Sequence, residues 1–450
     1  MDLIPKPDQV ISAAGNVAHT LFYGGLADLR PMPRTLIDDG VRREVYHYRP
    51  AAAAPSHGDP VLLVTPLAAP ALCFDLRRGC SLVEHLVTEG HPTYLVEYDE
   101  VSFKDRTLGM EHWIDEVVPA AVREVSAHAG GRPVHVVGWS LGGIFALLTA
   151  ADQPDLPIAS VTALGTPFDV KQVPLVAPLR PLLNLTDGRG AITAAYRLLG
   201  GAPKPLVGWA FQLASVQKMV TKPLAVLTHL DDADYLAQLE AVDRFMSNMI
   251  AYPGRTFGQL YHRMVKGNAL VGGSFRLGER TIRLTDLKAP VLVFAGATDG
   301  IAPANAVRAV LPLLTGSREV RFEIVPGGHL GMLTGRAARG TTWRVLDEWI
   351  EEWAAAEEAP APKARARKAS PARKAAAKRT GPVKKTATKA AGPAKKAAPA
   401  EKAGPAGKAA PAKRTSPAKK AVQTKSAPAE LIGVNPRRRY GSGGSRALSR

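Results

Sequence analysis

Residues 134 to 151 constrain the fold more than any other stretch of the chain. A β-branched run (Val134, Val136, Val137) stops at Gly138, and after Gly142 and Gly143 an apolar run of helix formers begins. Ser140 therefore sits where a buried strand turns sharply into a helix, the setting in which a serine hydroxyl is held exposed at a strand's carboxyl end. Gly138 and Gly142 flank it two residues to either side, where side chains would collide across so tight a turn. The first helical residue, Leu141, directs its N–H toward any negative charge that develops beside the serine oxygen. The pentapeptide Gly138-Trp139-Ser140-Leu141-Gly142 is only modestly specific, and the strand before it and the helix after it supply the rest of the signal.

The same strand-then-helix rhythm runs through much of the chain. Val41 to Tyr48 reads as a strand, and Val61 to Thr65 as a continuous apolar, hence buried, parallel strand. Residues 76 to 89 suit a helix, Thr93 to Tyr98 a strand, Glu111 to Ala129 a helix, and Ile158 to Leu164 another buried strand. Such alternation predicts an α/β class with a doubly wound, mostly parallel sheet. From about 168 to 285 the rhythm gives way to Pro-punctuated apolar helices, read as a helical cap inserted above the sheet's carboxyl edge. Within it Asp231, Asp232 and Asp234 read as an acidic helix N-terminus rather than a metal site. Strand rhythm resumes at Pro290 to Ala295 and Glu319 to Val325. A closing helix from Thr341 to about Glu357 puts Trp343, Leu346, Trp349 and Ile350 on one face.

Charge separates this body from the C-terminal tail. Of 58 Lys+Arg and 40 Asp+Glu, 25 and 2 lie after residue 360, a net of +23 there against +18 for the whole, so residues 1–360 carry −5. Residues 358–450, dominated by Ala, Lys and Pro, lack the large apolar side chains that offset chain entropy, and are expected to be disordered. Residues 1–40 read as an N-terminal extension and 41–357 as the catalytic domain. Val10 to Leu29 is mildly apolar and helix-like, and is expected to pack against the body rather than serve as a surface anchor. The first residues lack the basic and apolar regions of a signal peptide, and no run of 18 apolar residues predicts a membrane span, so a cytoplasmic location is expected. Two cysteines, Cys73 and Cys80, argue against a disulfide framework and read as buried thiols.

A serine becomes a nucleophile when a histidine takes its proton and a carboxylate fixes that histidine's tautomer. In this architecture the partners come in the order serine, acid, histidine, on loops at strand carboxyl ends. Asp299, in Gly296-Ala297-Thr298-Asp299-Gly300, lies past one late strand, and His329, in Pro326-Gly327-Gly328-His329, past the next. Ser140, Asp299 and His329 are thus the expected triad, with no cofactor or metal required. A second oxyanion donor is expected from the loop after Val61 to Thr65. Pro66 has no N–H, which leaves Leu67 or Ala68 beside Leu141.

The segments Pro60 to Leu76, Ser81 to Leu86, Gly90 to Glu97, Thr166-Pro167-Phe168-Asp169, 255 to 303 and 327 to 331 carry a resemblance to the polyhydroxyalkanoate synthase family of the α/β-hydrolase superfamily. The resemblance covers roughly 41 to 352. It implies an α/β-hydrolase fold with a cap and a hydroxyacyl ester or acyl-CoA thioester as substrate. Synthases carry cysteine at the position of Ser140, histidine at that of Gly300 and asparagine at that of Ala69. A thiolate suits thioester exchange, whereas a serine acyl-enzyme is an oxygen ester more readily committed to water or alcohol. A serine esterase or acyltransferase is therefore the leading expectation, and a polyester synthase that uses serine the second. A third makes the chain a tether, because the basic tail resembles linker-histone tails and suits sequence-independent contact with nucleic acid, polyphosphate or a polyester granule.

Overall fold

The computed structural model describes residues 6–50, 58–174, 176, 191–214 and 216–354. The expectations for the basic tail lie outside the described residues, whereas the closing helix, expected to run to about Glu357, ends at Glu352 with Trp353 as its C-cap. The body divides from the tail at Arg365.

Eight strands form one sheet in the order β1-β2-β4-β3-β5-β6-β11-β12. They span Arg34–Gly40 (β1), Arg43–Tyr48 (β2), Val61–Val64 (β3), Thr93–Glu97 (β4), Val134–Trp139 (β5), Ile158–Leu164 (β6), Val291–Gly296 (β11) and Val320–Val325 (β12). The β1–β2 and β2–β4 pairs are antiparallel and the rest parallel. The chain runs from β3 to β4 on one side, then returns across β3 to β5 and β6 on the other. The order therefore reverses between β3 and β5, and the crevice beyond their carboxyl ends is where such sheets take ligands. This is the α/β-hydrolase fold.

The central strands are continuous apolar runs because both sheet faces are covered. Leu62, Val64, Val134, Val136, Val291 and Val293 pack on one side with helices α3 (Val118–His128) and α4 (Leu141–Asp152). Val61, Leu63, Val137, Leu292 and Phe294 pack on the other with α2 (Leu82–Thr88) and the helix Thr342–Glu352. Alternate residues of a strand thus feed two cores, as the pleat requires. Trp343, Leu346, Trp349 and Ile350 share one buried face of that last helix.

Three sequence expectations need correction. The sheet begins at Arg34, not Val41: β1 lies within the supposed N-terminal extension and forms a hairpin with β2. Its residues, half-buried Arg34 and Asp38 and exposed Asp39 among them, lack the apolar run that marks an inner strand. Helix α1 (Pro7–Tyr23) forms as its spacing suggests, but none of its side chains is buried, with Ile11 71% and Phe22 81% exposed. Polar bonds tether it instead, from Gln9 Nε2 to Asp231 Oδ2 (2.9 Å) and from Asn16 Nδ2 to the Leu230 carbonyl (2.8 Å). Residues 76–81 are loop rather than helix, since Asp75 and Ser81 bridge and Ser81 caps α2 by accepting from Glu84 N–H. Both cysteines are buried, as the sequence suggests, Cys73 in the short helix Ala71–Cys73 and Cys80 in the loop before α2.

Between β6 and β11 the described chain holds helices Ala191–Leu199, Lys204–Ala214, Val216–Thr228, Ala233–Ser247 and Gly254–Gln259. Two short antiparallel pairs interrupt them, β7 (Gly201–Ala202) with β8 (Tyr252–Pro253) and β9 (Ser274–Leu277) with β10 (Arg280–Arg283). The aspartate cluster is engaged within the fold: Asp232 caps helix Ala233–Ser247 and meets Arg336, while Arg77 bonds Asp234 at 2.6 Å.

At the opposite, amino end of β5, His135 is buried with Nδ1 2.8 Å from Ser160 Oγ and Nε2 3.9 Å from Asp59. Burial first, then the charges of His91 and Arg132, push its imidazole down to about 3. Below pH ~6.5 the unfolded chain takes up this proton and the folded chain does not. This group's contribution is therefore complete above pH ~6.5 and is lost as the pH falls toward 3, by up to ~1.4 kcal/mol per unit. Urea titrations between pH 7.5 and 4.5 should show a steeper loss of stability for the wild type than for His135→Asn. Equal slopes would contradict this.

Candidate active site

The backbone of Ser140 has φ 54° and ψ −119°, a left-handed strain that a non-glycine residue tolerates only where its surroundings enforce it. Its N–H bonds the Leu164 carbonyl at 2.8 Å, so the β5–β6 ladder holds the serine up to the point at which α4 departs. The flanking glycines are required by contact. A Cβ on Gly138 would lie 2.6 Å from the Gly142 backbone, and one on Gly142 would overlap the Val64 carbonyl oxygen. Backbone atoms cannot swing aside as a side chain can. Gly142→Ala should therefore cost about 1–3 kcal/mol and displace α4, read as a lower urea midpoint; a wild-type midpoint would refute the close packing.

Asp299 stands just past β11. Its Oδ1 accepts from the Ile301 and Ala302 N–H groups, both at 2.8 Å, and its Oδ2 lies 2.8 Å from His329 Nδ1. The carboxylate is wholly buried. A carboxylate only accepts, so this contact places the imidazole proton on Nδ1 and leaves Nε2 as the acceptor. His329 stands on the loop after β12, where Gly327 takes φ 116°. That loop is tied to the acid loop by Thr298 N–H to the Gly327 carbonyl at 3.0 Å. The ring lies over Gly165, where a Cβ would sit 3.2 Å from Nδ1.

Two links join this pair to the serine's neighbourhood. Leu164 stands opposite Trp139 on β5 and Phe294 on β11, so the strands bearing serine and acid leave the sheet on either side of it. The Trp139 indole N–H donates to the His329 carbonyl at 3.0 Å, and the two rings are 4.9 Å apart. The residue before the serine thus holds the histidine loop. Sequence reasoning missed this role, although a Trp inside the pentapeptide was its visible trace.

On the side of β3, Gly142 approaches the backbone of Val64 and Thr65, from which the next loop departs. Leu67, Ala68 and Leu141 are all buried, and Ala68 takes φ 68°. Its carbonyl accepts from Ile250 N–H at 2.9 Å. Leu67, Ala68, Ala69, Tyr98, Ile250 and Ala251 line a narrow hollow there. The Tyr98 hydroxyl anchors the loop by donating to the Thr65 carbonyl at 2.9 Å, and burial pushes its pKa well above the ordinary phenol range.

No protein-family model matches the sequence. The chain is 26% identical over 340 residues to the poly(3-hydroxyalkanoate) polymerase subunit PhaC of Allochromatium vinosum, covering 75% of this chain and 94% of that protein. Its identity to the PhaC subunit of Thiocystis violacea is 22% over 342 residues, 76% and 94% of the two chains. For the Cupriavidus necator subunit it is 27% over 317 residues, covering 66% of this chain and 51% of that one. Among solved structures, a lipase in an open form aligns with TM-score 0.46 and 16% identity over 71% of this chain and 99% of its own. Mouse alpha/beta hydrolase domain-containing protein 10 aligns with TM-score 0.41 and 13% identity over the same shares.

Proposed function

We propose that this chain, an enzyme of the α/β-hydrolase fold similar in sequence to polyhydroxyalkanoate polymerases, is a serine esterase or acyltransferase for hydroxyacyl esters or thioesters. The observation that carries the reading is the Asp299–His329 pair, oriented with Nε2 as acceptor and fastened to Trp139, the residue before Ser140. In the first half-reaction Ser140 Oγ attacks the acyl carbonyl carbon while its proton passes to His329 Nε2. The oxyanion is met by the N–H of Leu141 and by that of Leu67 or Ala68. As the tetrahedral centre collapses, the bond to the leaving alkoxide or thiolate breaks, and His329 returns the proton to it. Water or an alcohol then attacks the Ser140 ester by the same route. The helix Ala233–Ser247, whose Phe245 ring lies 6.1 Å from that of Trp139, belongs to the cap that shapes the acyl site, and Cys73 and Cys80, as free buried thiols, suit a cytoplasmic setting.

Supplying 3-hydroxybutyryl-CoA and a 3-hydroxybutyrate ester separately, and measuring free acid, free CoA and insoluble polyester, tests the reading. Release of free acid, or of an ester with an added alcohol, supports it. CoA release with polyester as the main product would replace it with the polymerase reading, which the similarity over 94% of the Allochromatium protein favours. The tether reading rests on the net +23 of residues 361–450. Deleting them should lower retention on nucleic acid at low salt and leave ester turnover intact; unchanged retention would remove that role.

A further inference from the structure

A second recess lies away from the triad residues, a cleft of about 630 Å³ between the loop at 106–107 and the helices at 191–199 and 254–263. Arg106, Arg197, Arg255 and Arg263 all line it, together with His262 and Tyr196. Four guanidinium groups are an unusual lining for a body whose net charge is negative, and like charges brought together in a concave surface raise its potential. Among the described ion pairs, one carboxylate offsets them. Glu111 meets Arg255 at 2.8 Å and is itself held by Gln259 Nε2 at 2.9 Å from each oxygen.

The contacts of two other arginines orient them without cancelling charge. Arg106 lies over the Phe103 ring at 4.6 Å and donates to the Phe103 carbonyl at 3.2 Å. Arg263 lies 5.6 Å from the Phe275 ring centroid and donates to the Arg276 carbonyl. A ring face or a carbonyl fixes a guanidinium's plane and leaves its charge in place. Arg197 is exposed on the rim. The field reaches His262, whose imidazole is held below its ordinary value by burial first, then by Lys266 and Arg197. Its Nε2 stands 3.3 Å from the Tyr196 hydroxyl and 3.4 Å from Thr193 Oγ1, so neutral hydrogen-bonding groups adjoin the cations.

We infer that this cleft binds a diphosphate-bearing anion, its phosphate oxygens taken by the forked donors of Arg106, Arg197 and Arg263. Planar, forked guanidinium groups match phosphate oxygens two at a time, and a recess of this volume admits a nucleotide-sized ligand. The inference rests on the cleft alone and does not depend on the chemistry proposed for Ser140. The diphosphate belongs either to a nucleotide or to a free inorganic oligophosphate, and the two sources are separable by titration.

Isothermal titration of the full chain with ADP and with inorganic diphosphate, at fixed salt, tests the site. Saturable binding is expected, weakened about tenfold or more by Arg197→Glu and largely restored in Arg197→Lys, with circular dichroism melts unchanged for both exposed substitutions. Preference for ADP identifies a nucleotide site, and equal or better binding of inorganic diphosphate identifies an oligophosphate site. The lysine-rich tail attracts phosphate equally in all three proteins, so their difference reports the cleft. Absence of saturable binding of either compound, or equal affinity in the wild type and Arg197→Glu, overturns the inference.

Discussion

Ser140→Ala is expected to lower kcat for ester cleavage by about 10⁴- to 10⁶-fold while leaving the fold intact. In the proposed mechanism this hydroxyl forms the acyl bond, and the Asp299–His329 pair takes its proton, so removing it removes the step both serve. Stability should change by less than ~0.5 kcal/mol, because alanine inherits the same left-handed backbone and loses one half-buried oxygen. A fluorophosphonate probe should label the wild type and not the variant. Labelling retained in Ser140→Ala would move the nucleophile elsewhere, and a wild type that neither labels nor cleaves esters would end the serine-enzyme reading.

The inner sheet was legible because β3, β5 and β11 are buried on both faces and so appear as apolar runs, Val61–Val64, Val134–Val137 (interrupted by His135 alone) and Val291–Phe294. Ser140, Asp299 and His329 stand out through chain order, since each lies just past a strand that can be recognised, and the fold adds the contact between Asp299 and His329. What escaped depends on surroundings that one segment does not encode. Edge strand β1 carries arginine and aspartate because one side meets water, and it therefore resembles a loop. The apolar spacing of α1 predicts a helix correctly, but periodicity cannot say whether a matching face exists to cover it, and Ile11 and Phe22 lie in solvent. The arginine cleft draws on residues 106, 197, 255 and 263, brought together only by the packing of the helices between β6 and β11 onto the loop after β4. Trp139 was in plain view, yet its partner is a carbonyl 190 residues away.

Asp299→Asn should reduce kcat by about 10³- to 10⁴-fold with little change in KM, and the hydrogen bonds of the acid loop say why. The Ile301 and Ala302 N–H groups both point at one side-chain atom, so that position must be occupied by the amide oxygen. The amide NH2 is thereby turned toward His329 Nδ1, where an acceptor stood 2.8 Å away. Two N–H groups cannot face each other, and the imidazole must move its proton to Nε2. In that tautomer the nitrogen meant to take the serine proton already holds one. Asp299→Ala removes the opposing donor and lets water accept from Nδ1, so it should lose less activity than the isosteric asparagine. It should also be the less stable variant, by about 1–3 kcal/mol, because two backbone N–H groups lose their acceptor. Nitrogen-15 shifts of His329 report the tautomer directly. An Asn variant within tenfold of wild type, or one that keeps the proton on Nδ1, would show that Asp299 does not set the histidine's proton.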